Sequence, residues 1–445
     1  MPYDPVAKLP LELVISIFQW TAPTPIPFPP CDREEGRLPE SDMTFPYPVI
    51  LGAVSSQWRE LVWSTPSLWT FFTSTEKLRR QEKDVSSRLL LHLQKSKDLP
   101  LELEINMPPY NIRKTLFSPR VDPFLLESLP RIKRLFLWAP SNTWFAFLNK
   151  LSSIVELTII LPSGGTPNNP AVALTNCRSL RRLYFCGGSD VLPSPKPPLK
   201  FITNLHFAAL PIDICVEIFL QISTLNKIGM FYPAPPTKPI PNDGLGIYEP
   251  VVFDHLEILL WEIWRDAENW HDYFLGRAYT PNLRTFRLYG STPNFTRTAT
   301  GVERSFFERL PSSLNRLELS QVLKGGLHSS LFDRHFEGLE YLVVKFCDDE
   351  MVVDAIRRLI SSEMTSLCMP RLKSVVVDGC MCLFSGGNVA DALISALGNC
   401  LRANDMFHLE MRNLNVAWTE KMKENILEVR RRGVRLTFWG CKILD

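Results

Sequence analysis

The sequence has little of what catalytic and metal sites are built from. It contains seven histidines and ten cysteines in 445 residues, and none of them forms a His-Glu-x-x-His or a Cys-x-x-Cys motif. A Gly-x-Ser-x-Gly turn and a glycine-rich phosphate loop are also missing from the sequence. We therefore expect a protein that is not an enzyme and that uses neither a cofactor nor a metal.

The chain also lacks an excess of charge of either sign. Its 49 basic and 47 acidic residues give a formal net charge of +2, so its overall field gives no reason to expect nucleic acid or an acidic membrane as a partner. The sequence has no run of about 18 uncharged apolar residues and no signal-peptide pattern at its start. Its scattered cysteines suit a reducing compartment. These features predict a cytoplasmic or nuclear protein with no membrane contact.

What the sequence does have is apolar surface at helical spacing near its start. Two amphipathic helices are predicted, over 9–20 and from Val49 onward, and a segment with eight prolines over 21–48 separates them. Thr65 is expected to cap a third, short turn that begins at Pro66. The apolar stripes of the two helices consist of Leu9, Leu13, Ile17, Phe18, Val54, Trp58, Leu61 and Val62.

Three motifs in this region resemble an F-box, especially of the fungal type: LPLEL (9–13), VSSQWREL (54–61) and STPSLW (64–69). The resemblance covers about residues 5–72, and the proline-rich insert departs from the family's pattern. It implies a helical domain that binds a Skp-family adaptor and, through that adaptor, a cullin. The adaptor-binding residues that it implies are Leu9, Pro10, Leu13, Ile17, Phe18, Val54, Trp58, Leu61, Pro66, Leu68 and Trp69.

The rest of the chain repeats the pattern apolar-x-x-apolar-x-apolar. Eleven copies start between Ile132 and Met406, at intervals of 22 to 34 residues, and VRLTF (434–438) supplies a last strand. The pattern and its early intervals resemble leucine-rich repeats, whose period is roughly 20–29 residues. Helices are expected between strands, for example over 354–360 and 389–397. Ordinary α/β strands are the alternative interpretation.

We predict an α/β fold with a small N-terminal helical F-box followed by a leucine-rich-repeat-like solenoid of strand–helix units, which forms a curved parallel sheet. The predicted boundaries are 5–72 for the F-box-like domain with its insert at 21–48, 73–98 for a helical connector, and 99–445 for the solenoid.

Side chains alternate along a strand, so the residues that flank each central apolar position share one face of the sheet. That face is predicted to bind a target protein and to be aromatic in its first half and charged in its second. Alternatively, the proline-rich loops at 190–198 and 233–250 cover the early aromatic residues. The candidate target-binding residues are Phe136, Trp138, Tyr184, His206, Phe231, Arg287, Tyr289, Lys345 and Arg412.

The order of the parts predicts a substrate-recognition subunit of a cullin–RING (SCF-type) ubiquitin ligase. Such a subunit catalyses nothing itself and raises the effective concentration of an unknown target protein near a ubiquitin-loaded enzyme. One alternative is a leucine-rich-repeat scaffold without a ligase, whose N-terminal helices only cap the solenoid. An α/β enzyme is a third alternative.

Overall fold

The fold is known from a computed structural model, in which the chain divides into two compact units, residues 1–206 and 207–445. The structure describes residues 8–21, 47–74, 82–106, 121–140, 142–161, 174, 176–187, 201–240, 249–263, 268–290, 301–320, 336–347, 371–380, 408–413, 415–417, 420–431, 433–439 and 442–444. The helices predicted over 354–360 and 389–397 lie outside these residues, as do most of the insert at 21–48 and the loop at 190–198.

Helices alternate with strands along most of the described chain. Two short 3₁₀ turns cover Pro66–Trp69 and Leu129–Arg131. The α-helices are α1 (Leu11–Trp20), α2 (Tyr47–Gly52), α3 (Ser56–Ser64), α4 (Glu82–Lys95), α5 (Asp122–Ser128), α6 (Asn142–Leu148), α7 (Ile212–Leu220), α8 (Glu268–Arg277), α9 (Gly301–Glu308) and α10 (Glu420–Arg431).

The strands follow the spacing of the predicted repeats. They are β1 (Phe71–Thr73), β2 (Leu101–Asn106), β3 (Ile132–Trp138), β4 (Glu156–Ile160), β5 (Arg182–Cys186), β6 (Asn204–Ala208), β7 (Lys227–Phe231), β8 (Val251–Val252), β9 (Ile258–Ile263), β10 (Ala278–Tyr279), β11 (Thr285–Gly290), β12 (Arg316–Ser320), β13 (Tyr341–Cys347), β14 (Ser374–Cys380), β15 (His408–Arg412), β16 (Asn415–Ala417), β17 (Arg435–Trp439) and β18 (Lys442–Leu444).

Fourteen of these strands form one open sheet, in the order β1 to β7, β9, β11 to β15 and β17. The strands of this sheet follow one another in chain order, and the described pairings are parallel, as between β3 and β4 or between β11 and β12. Two small parallel pairs, β8 with β10 and β16 with β18, lie outside it. The predicted α/β fold with a parallel sheet of repeated strands is confirmed.

In all eleven repeats, the second and third apolar positions lie on a strand of the main sheet, and most of the final VRLTF segment lies on β17. Among the described first positions, only Ile132 lies on its strand, and the others come just before it. Leu135, Leu183, Leu259 and Leu317, for example, are fully buried. In the second unit, helices cover the face of the sheet that carries these residues. The ring of Trp261 in β9 stacks on that of Phe274 in α8 at 4.3 Å between centroids, so this strand and this helix share an apolar contact.

A left-handed residue recurs just after the repeat core, and the sequence pattern did not predict it. In six repeats, the residue two positions beyond the last core apolar residue has a positive φ. Four of these residues come directly after their strand, and the other two, Phe346 and Gly379, lie inside β13 and β14. Only one of the six is glycine, the residue that adopts this conformation without strain. The residues are Ala139, Ala209, Tyr232, Phe346, Gly379 and Asn413.

The sheet begins inside the region predicted as F-box-like. Strand β1 starts at Phe71 and pairs with β2, with Phe72 opposite Leu103. The predicted connector over 73–98 contains α4, and its residues 75–81 lie outside the described chain. The N-terminal helices are thus followed directly by the first strand of the sheet.

Candidate protein-binding surfaces

The N-terminal helices share a small apolar core in the first unit. Its buried members come from α1, α2, α3 and the 3₁₀ turn at 66–69, and the half-buried side chains of Trp58 and Leu61 pack against them. The ring of Trp58 lies 4.7 Å from that of Phe18 between centroids. The buried members are Val14, Phe18, Leu51, Val62, Leu68 and Trp69.

Hydrogen bonds fix the helix ends of this group, and one of them corrects a prediction. The hydroxyl of Ser55 accepts from the backbone N–H of Trp58 at 3.1 Å and caps α3. Pro66 begins the next turn as predicted. Thr65 does not cap that turn, because its hydroxyl instead donates to the carbonyl of Leu61 at 2.7 Å and closes the end of α3.

Two predicted stripes are also corrected. In α1, the buried residues are Val14 and Phe18, whereas Leu9, Leu13 and Ile17, expected on the same stripe as Phe18, are exposed. The helix is too short and too weakly covered to bury its whole apolar surface. Val54 precedes the N-cap of α3 instead of lying in a helix, and its side chain is also exposed.

The outcome is an apolar surface that no described residue covers. Leu13 is 52% exposed and Ile17 is 48% exposed, although both lie on a helix whose other side is packed. Exposed apolar residues gathered on one helix are typical of a docking surface for another protein. The exposed apolar residues on α1 and just before it are Leu9, Pro10, Leu11, Leu13, Ile17 and Trp20.

Other residues predicted to bind the adaptor are less accessible. Phe18, Leu68 and Trp69 are buried, and Trp58, Leu61 and Pro66 are half-buried.

Trp69 joins this helical group to the start of the sheet. Its indole N–H donates to the carbonyl of Val62 in α3 at 2.8 Å. Its own carbonyl lies 3.1 Å from Nδ1 of His92 in α4, and because a carbonyl can only accept, Nδ1 carries the proton. The ring of His92 also contacts that of Phe72 in β1. Burial lowers the pKa of His92 to about 4, against the opposing effect of the Trp69 carbonyl.

The face of the sheet predicted to bind a target differs from expectation in the first unit. Phe136, Tyr184 and His206 lie on the predicted face, since they alternate with core residues, but all three are buried. Glu104 and Thr158 stand in register beside Phe136, and both are buried as well. The expected exposure of these aromatic residues is therefore wrong.

Phe231, in the second unit, is buried too, and its ring lies 5.9 Å from that of the half-buried Tyr289. Glu262, which lies between Phe231 and Tyr289 in the sequence, is also buried. One of its carboxylate oxygens accepts a hydrogen bond from the backbone N–H of Tyr232 at 2.6 Å. Burial raises the pKa of Glu262 to about 7, and the Tyr232 hydrogen bond opposes this rise. Trp138, in the first unit, is half-buried.

The charged half of the predicted surface is organised around Glu318, which lies at the centre of an ion-pair cluster. One carboxylate oxygen of Glu318 lies 3.1 Å from Nε of Arg287, and the other lies 3.1 Å from Nζ of Lys345. Arg316 approaches the first oxygen at 3.5 Å. Burial acts to raise the pKa of Glu318, but Arg287, Lys345 and Arg316 together hold that pKa below its usual value.

The remaining charged candidate, Arg412, lies on the same face of the second unit. Its Nε lies 2.9 Å from a carboxylate oxygen of Glu410. Asp378, in register beside Arg412, accepts from the side-chain amide of Asn413 at 2.8 Å. Sequence reasoning did not single out Arg316 or Glu410 as site residues, although the same alternation that selected Arg287 and Arg412 places them on this face.

The first unit carries ionic side chains on the corresponding face as well, but their signs alternate. Glu102, Arg134, Glu156 and Arg182 stand side by side on four successive strands. Arg134 bonds to Glu156 at 2.9 Å, and Arg182 bonds to the other oxygen of Glu156 at 3.2 Å. Two cations and two carboxylates make this ladder neutral.

Comparison with known proteins identifies no relative: no protein-family model matches the chain, and no curated protein matches it either. Within the described ranges, no helix has the length and apolar character needed to span a membrane. The same ranges bring together no group of three or more histidine, cysteine or acidic side chains that could hold a metal ion.

Proposed function

We propose that this protein is the substrate-recognition subunit of an SCF-type cullin–RING ubiquitin ligase, in which the N-terminal helices bind a Skp-family adaptor and the sheet face binds a target protein. The observation that supports it most is the exposed apolar side of α1. Leu9, Leu13 and Ile17 are exposed there, while Phe18 on the same helix anchors it to the core. This helix carries the first part of the F-box-like pattern.

Energetic considerations favour a protein partner for this surface. Burying a leucine or isoleucine side chain stabilises a complex by about 1.5–3 kcal/mol. Leu13 and Ile17 are each about half exposed in the free protein, so burying the rest of both side chains would contribute roughly 1.5–3 kcal/mol to adaptor binding, which is a part of the roughly 8 kcal/mol of a micromolar complex. Residues that are already buried, such as Trp69, support the surface and contact no partner directly.

The proposed activity needs no catalytic residue in this chain. The adaptor and cullin would hold the protein near a ubiquitin-loaded enzyme, and the sheet face would hold the target close to it. Tethering of this kind raises the local concentration of the target and requires no new chemistry.

A scaffold whose N-terminal helices only cap the repeat array is the second candidate, and one observation favours it. The helical core is joined to the sheet through Trp69, His92 and β1, and Leu91 of α4 packs against that core. Repeat arrays require capping elements of this kind over their terminal repeats. Capping and docking are compatible, because the buried side of α1 faces the core and its other side is exposed.

Co-purification of the full-length protein with the adaptor distinguishes the two candidates. The variant Leu13→Gln/Ile17→Gln removes two exposed apolar side chains and keeps helix-forming residues. We expect it to remain folded and to lose adaptor binding by at least about tenfold. Leu427→Gln on α10 is the matched control, because Leu427 is 53% exposed. Retention of wild-type adaptor binding by the double variant would leave only the capping role.

A further inference from the structure

Glu262 in β9 is a buried carboxylate that no cation of the described chain neutralises. It is 4% exposed. Its Oε2 accepts from the backbone N–H of Tyr232 at 2.6 Å, and within the described ranges this is its one hydrogen bond. Two other buried carboxylates of the second unit have fuller sets of partners. Glu318 is surrounded by three cations, and Asp213 accepts from Thr237 through both of its oxygens. Because burying a charge is costly unless it is paired, Glu262 differs from both.

The second oxygen of Glu262 is open to a partner. Oε1 accepts no hydrogen bond from the described residues, yet it is not sealed from solvent. The carboxylate is therefore held in place by the backbone through one oxygen, and the other oxygen can accept a donor that comes from outside the chain.

Aromatic rings stand on both sides of this carboxylate. Strand β9 lies between β7 and β11. Tyr289 of β11 is in register with Glu262, and Phe231 stands beside it at the end of β7. The two rings are 5.9 Å apart between centroids, which is less than two strand spacings of about 4.8 Å each. They therefore lean toward each other across the strand of Glu262. Tyr232, whose N–H holds the carboxylate, follows Phe231 and is 63% exposed.

The other charged or titratable groups on this face of the three strands do not neutralise Glu262. Arg287 pairs with Glu318 at 3.1 Å, and Lys227 lies at the opposite end of β7. Burial raises the pKa of Glu262 to about 7, and the Tyr232 hydrogen bond opposes this rise. The carboxyl is thus about half ionised near neutral pH. The charged or titratable neighbours on β7 and β11 and directly after β7 are Lys227, Tyr232, Arg287 and Tyr289.

We propose that Glu262, Tyr232 and Tyr289 form a binding site for a lysine side chain of a partner protein. The lysine ammonium donates to the open oxygen of Glu262 and supplies the positive charge that the described chain does not. Its alkyl stem packs along the rings, and the face of a tyrosine ring also attracts the cation. Assigning this lysine to a ubiquitination target rests on the proposed function; the site itself does not.

Lysine fits this site better than arginine does, because one oxygen of Glu262 is already occupied. Arginine binds a carboxylate best through two parallel hydrogen bonds, which require both oxygens. An ammonium group is compact and can donate to a single oxygen. A norleucine side chain has a similar apolar stem and no charge, so it would leave the carboxylate without a cation.

Saturation-transfer NMR of the full-length protein tests the proposal with the peptide Ser-Gly-Lys-Gly-Ser. We expect transfer to the side-chain methylenes of its lysine, which would lie against the rings. The same peptide with norleucine in place of lysine should bind at least about tenfold more weakly. Equal binding of the norleucine peptide, or tighter binding of the arginine peptide, would overturn the proposal.

Variants locate the binding on the protein. Glu262→Gln keeps an acceptor for the Tyr232 N–H and removes the charge, so it should weaken binding of the lysine peptide at least about tenfold. Tyr289→Leu should weaken it about threefold, and Tyr289→Phe should restore it. The matched control is Glu410→Gln, because Glu410 lies on the same face and already has Arg412 at 2.9 Å. An equal loss in Glu262→Gln and Glu410→Gln would contradict the site.

The pH dependence of peptide binding separates this site from a merely structural carboxyl group. Glu262 has a pKa of about 7, so it is mostly protonated at about pH 5.5 and ionised at about pH 8.5, while the lysine ammonium is charged at both. Binding to the wild type should therefore strengthen at least about tenfold from the lower to the higher pH. Glu262→Gln should show no such change. Wild-type binding that is independent of pH would overturn the proposal.

A separate readout distinguishes this site from the ligase function. Glu262→Gln should co-purify with the Skp-family adaptor as the wild type does, because Glu262 lies in the second unit and α1 in the first. If the wild type binds the lysine peptide and no adaptor, the proposed ligase function fails while the lysine site stands. If it binds the adaptor and not the lysine peptide, the lysine site fails alone.

Discussion

The two units use the same strand pattern and present different surfaces with it. In the first unit, the face opposite the leucine row carries the buried side chains of Phe136, Tyr184 and His206 and a neutral ladder of ion pairs. In the second unit, the same positions carry Arg287, Arg316 and Lys345 around one buried carboxylate. One repeat geometry thus gives a closed apolar surface in one unit and a partly exposed, charged surface in the other.

The difference shows that alternation assigns a side chain to a face and leaves its exposure undecided. Phe136, Tyr184 and His206 are buried on this face of the first unit, and the ring of Tyr184 lies 6.4 Å from that of His206 between centroids. Arginine and lysine in the same positions extend their charged ends toward solvent. We therefore expect partner binding on the sheet face of the second unit, where charged side chains are partly exposed.

The largest predicted effect tests whether the first-unit face is closed in solution. Phe136→Ala should destabilise the protein by about 3–5 kcal/mol, because it removes a buried ring from a packed surface. Arg412→Ala, on the corresponding face of the second unit, should cost no more than about 1 kcal/mol. Urea unfolding followed by circular dichroism measures both. A cost below about 1 kcal/mol for Phe136→Ala would show that the face is open.

The next prediction concerns pH and the second unit. Because burial raises the pKa of folded Glu262 to about 7, the stability contributed by its protonated form is present in acid and is lost as the pH rises through about 7. Glu262→Gln keeps an acceptor for the Tyr232 N–H and cannot ionise. The variant should match the wild type at acidic pH and exceed its stability by roughly 3.5 kcal/mol at alkaline pH, at about 1.4 kcal/mol per pKa unit.

Urea unfolding of both proteins at the two pH values provides the check on Glu262. Equal pH dependence in wild type and Glu262→Gln would mean that the Glu262 carboxylate ionises in the folded protein without cost. The claim that Glu262 is buried near Phe231 and Tyr289 would then be wrong.

The first unit should respond to pH in the opposite direction. Burial lowers the pKa of His92 to about 4, so the stability contributed by the neutral ring is present above its ordinary value near 6.5 and is lost as the pH falls toward 4. His92→Asn keeps a donor for the Trp69 carbonyl and does not titrate. Between neutral pH and about 4, the wild type should lose roughly 3 kcal/mol more stability than the variant, measured as the difference of their unfolding curves.

Parallel pH curves for wild type and His92→Asn would contradict the buried junction between the N-terminal helices and the sheet. The comparison uses the change in the free energy of unfolding with pH. The absolute stability of the variant is not used, because the substitution also removes the ring contacts of His92 with Trp69 and Phe72.

The smallest predicted effect concerns the left-handed turns. Gly379 has a φ of +63°, and a Cβ added there would lie 2.6 Å from ring atoms of Phe346. Gly379→Ala should cost about 1–2 kcal/mol, chiefly through the strained backbone, because the exposed Phe346 ring can move. Ala209→Gly, at a matching turn in the same unit with a φ of +54°, should be nearly neutral in thermal melts. A loss for Ala209→Gly as large as that for Gly379→Ala would contradict the left-handed turn.

Much of the fold could be predicted from the sequence. The repeated apolar triplet located every predicted strand of the main sheet, because its second and third apolar residues alternate along the strand and set the face that is buried. The positive φ at Ala139 or Phe346 could not be predicted, since both residues disfavour it and the strand pairing imposes it.

The candidate surfaces could be predicted only in part. Exposure of Leu13 and burial of Phe18 depend on which side of α1 meets the core, and apolar spacing alone joined both to one stripe. Thr65 closes α3 instead of capping the next turn, because a threonine hydroxyl can donate to a preceding carbonyl as readily as it can accept from a following N–H. The clustering of Arg316 with Arg287 and Lys345 requires the strand register, which only the structure supplies.

The most direct test of the proposed function is hydrogen–deuterium exchange of the full-length protein with and without a purified Skp-family adaptor. We predict that the adaptor slows exchange of the backbone amides in α1, Leu11–Trp20, where Leu13 and Ile17 are exposed. Exchange in β11 to β15 of the second unit should stay unchanged. Binding without protection of α1, or no binding at all, would contradict the assignment of this helix as the adaptor-docking surface.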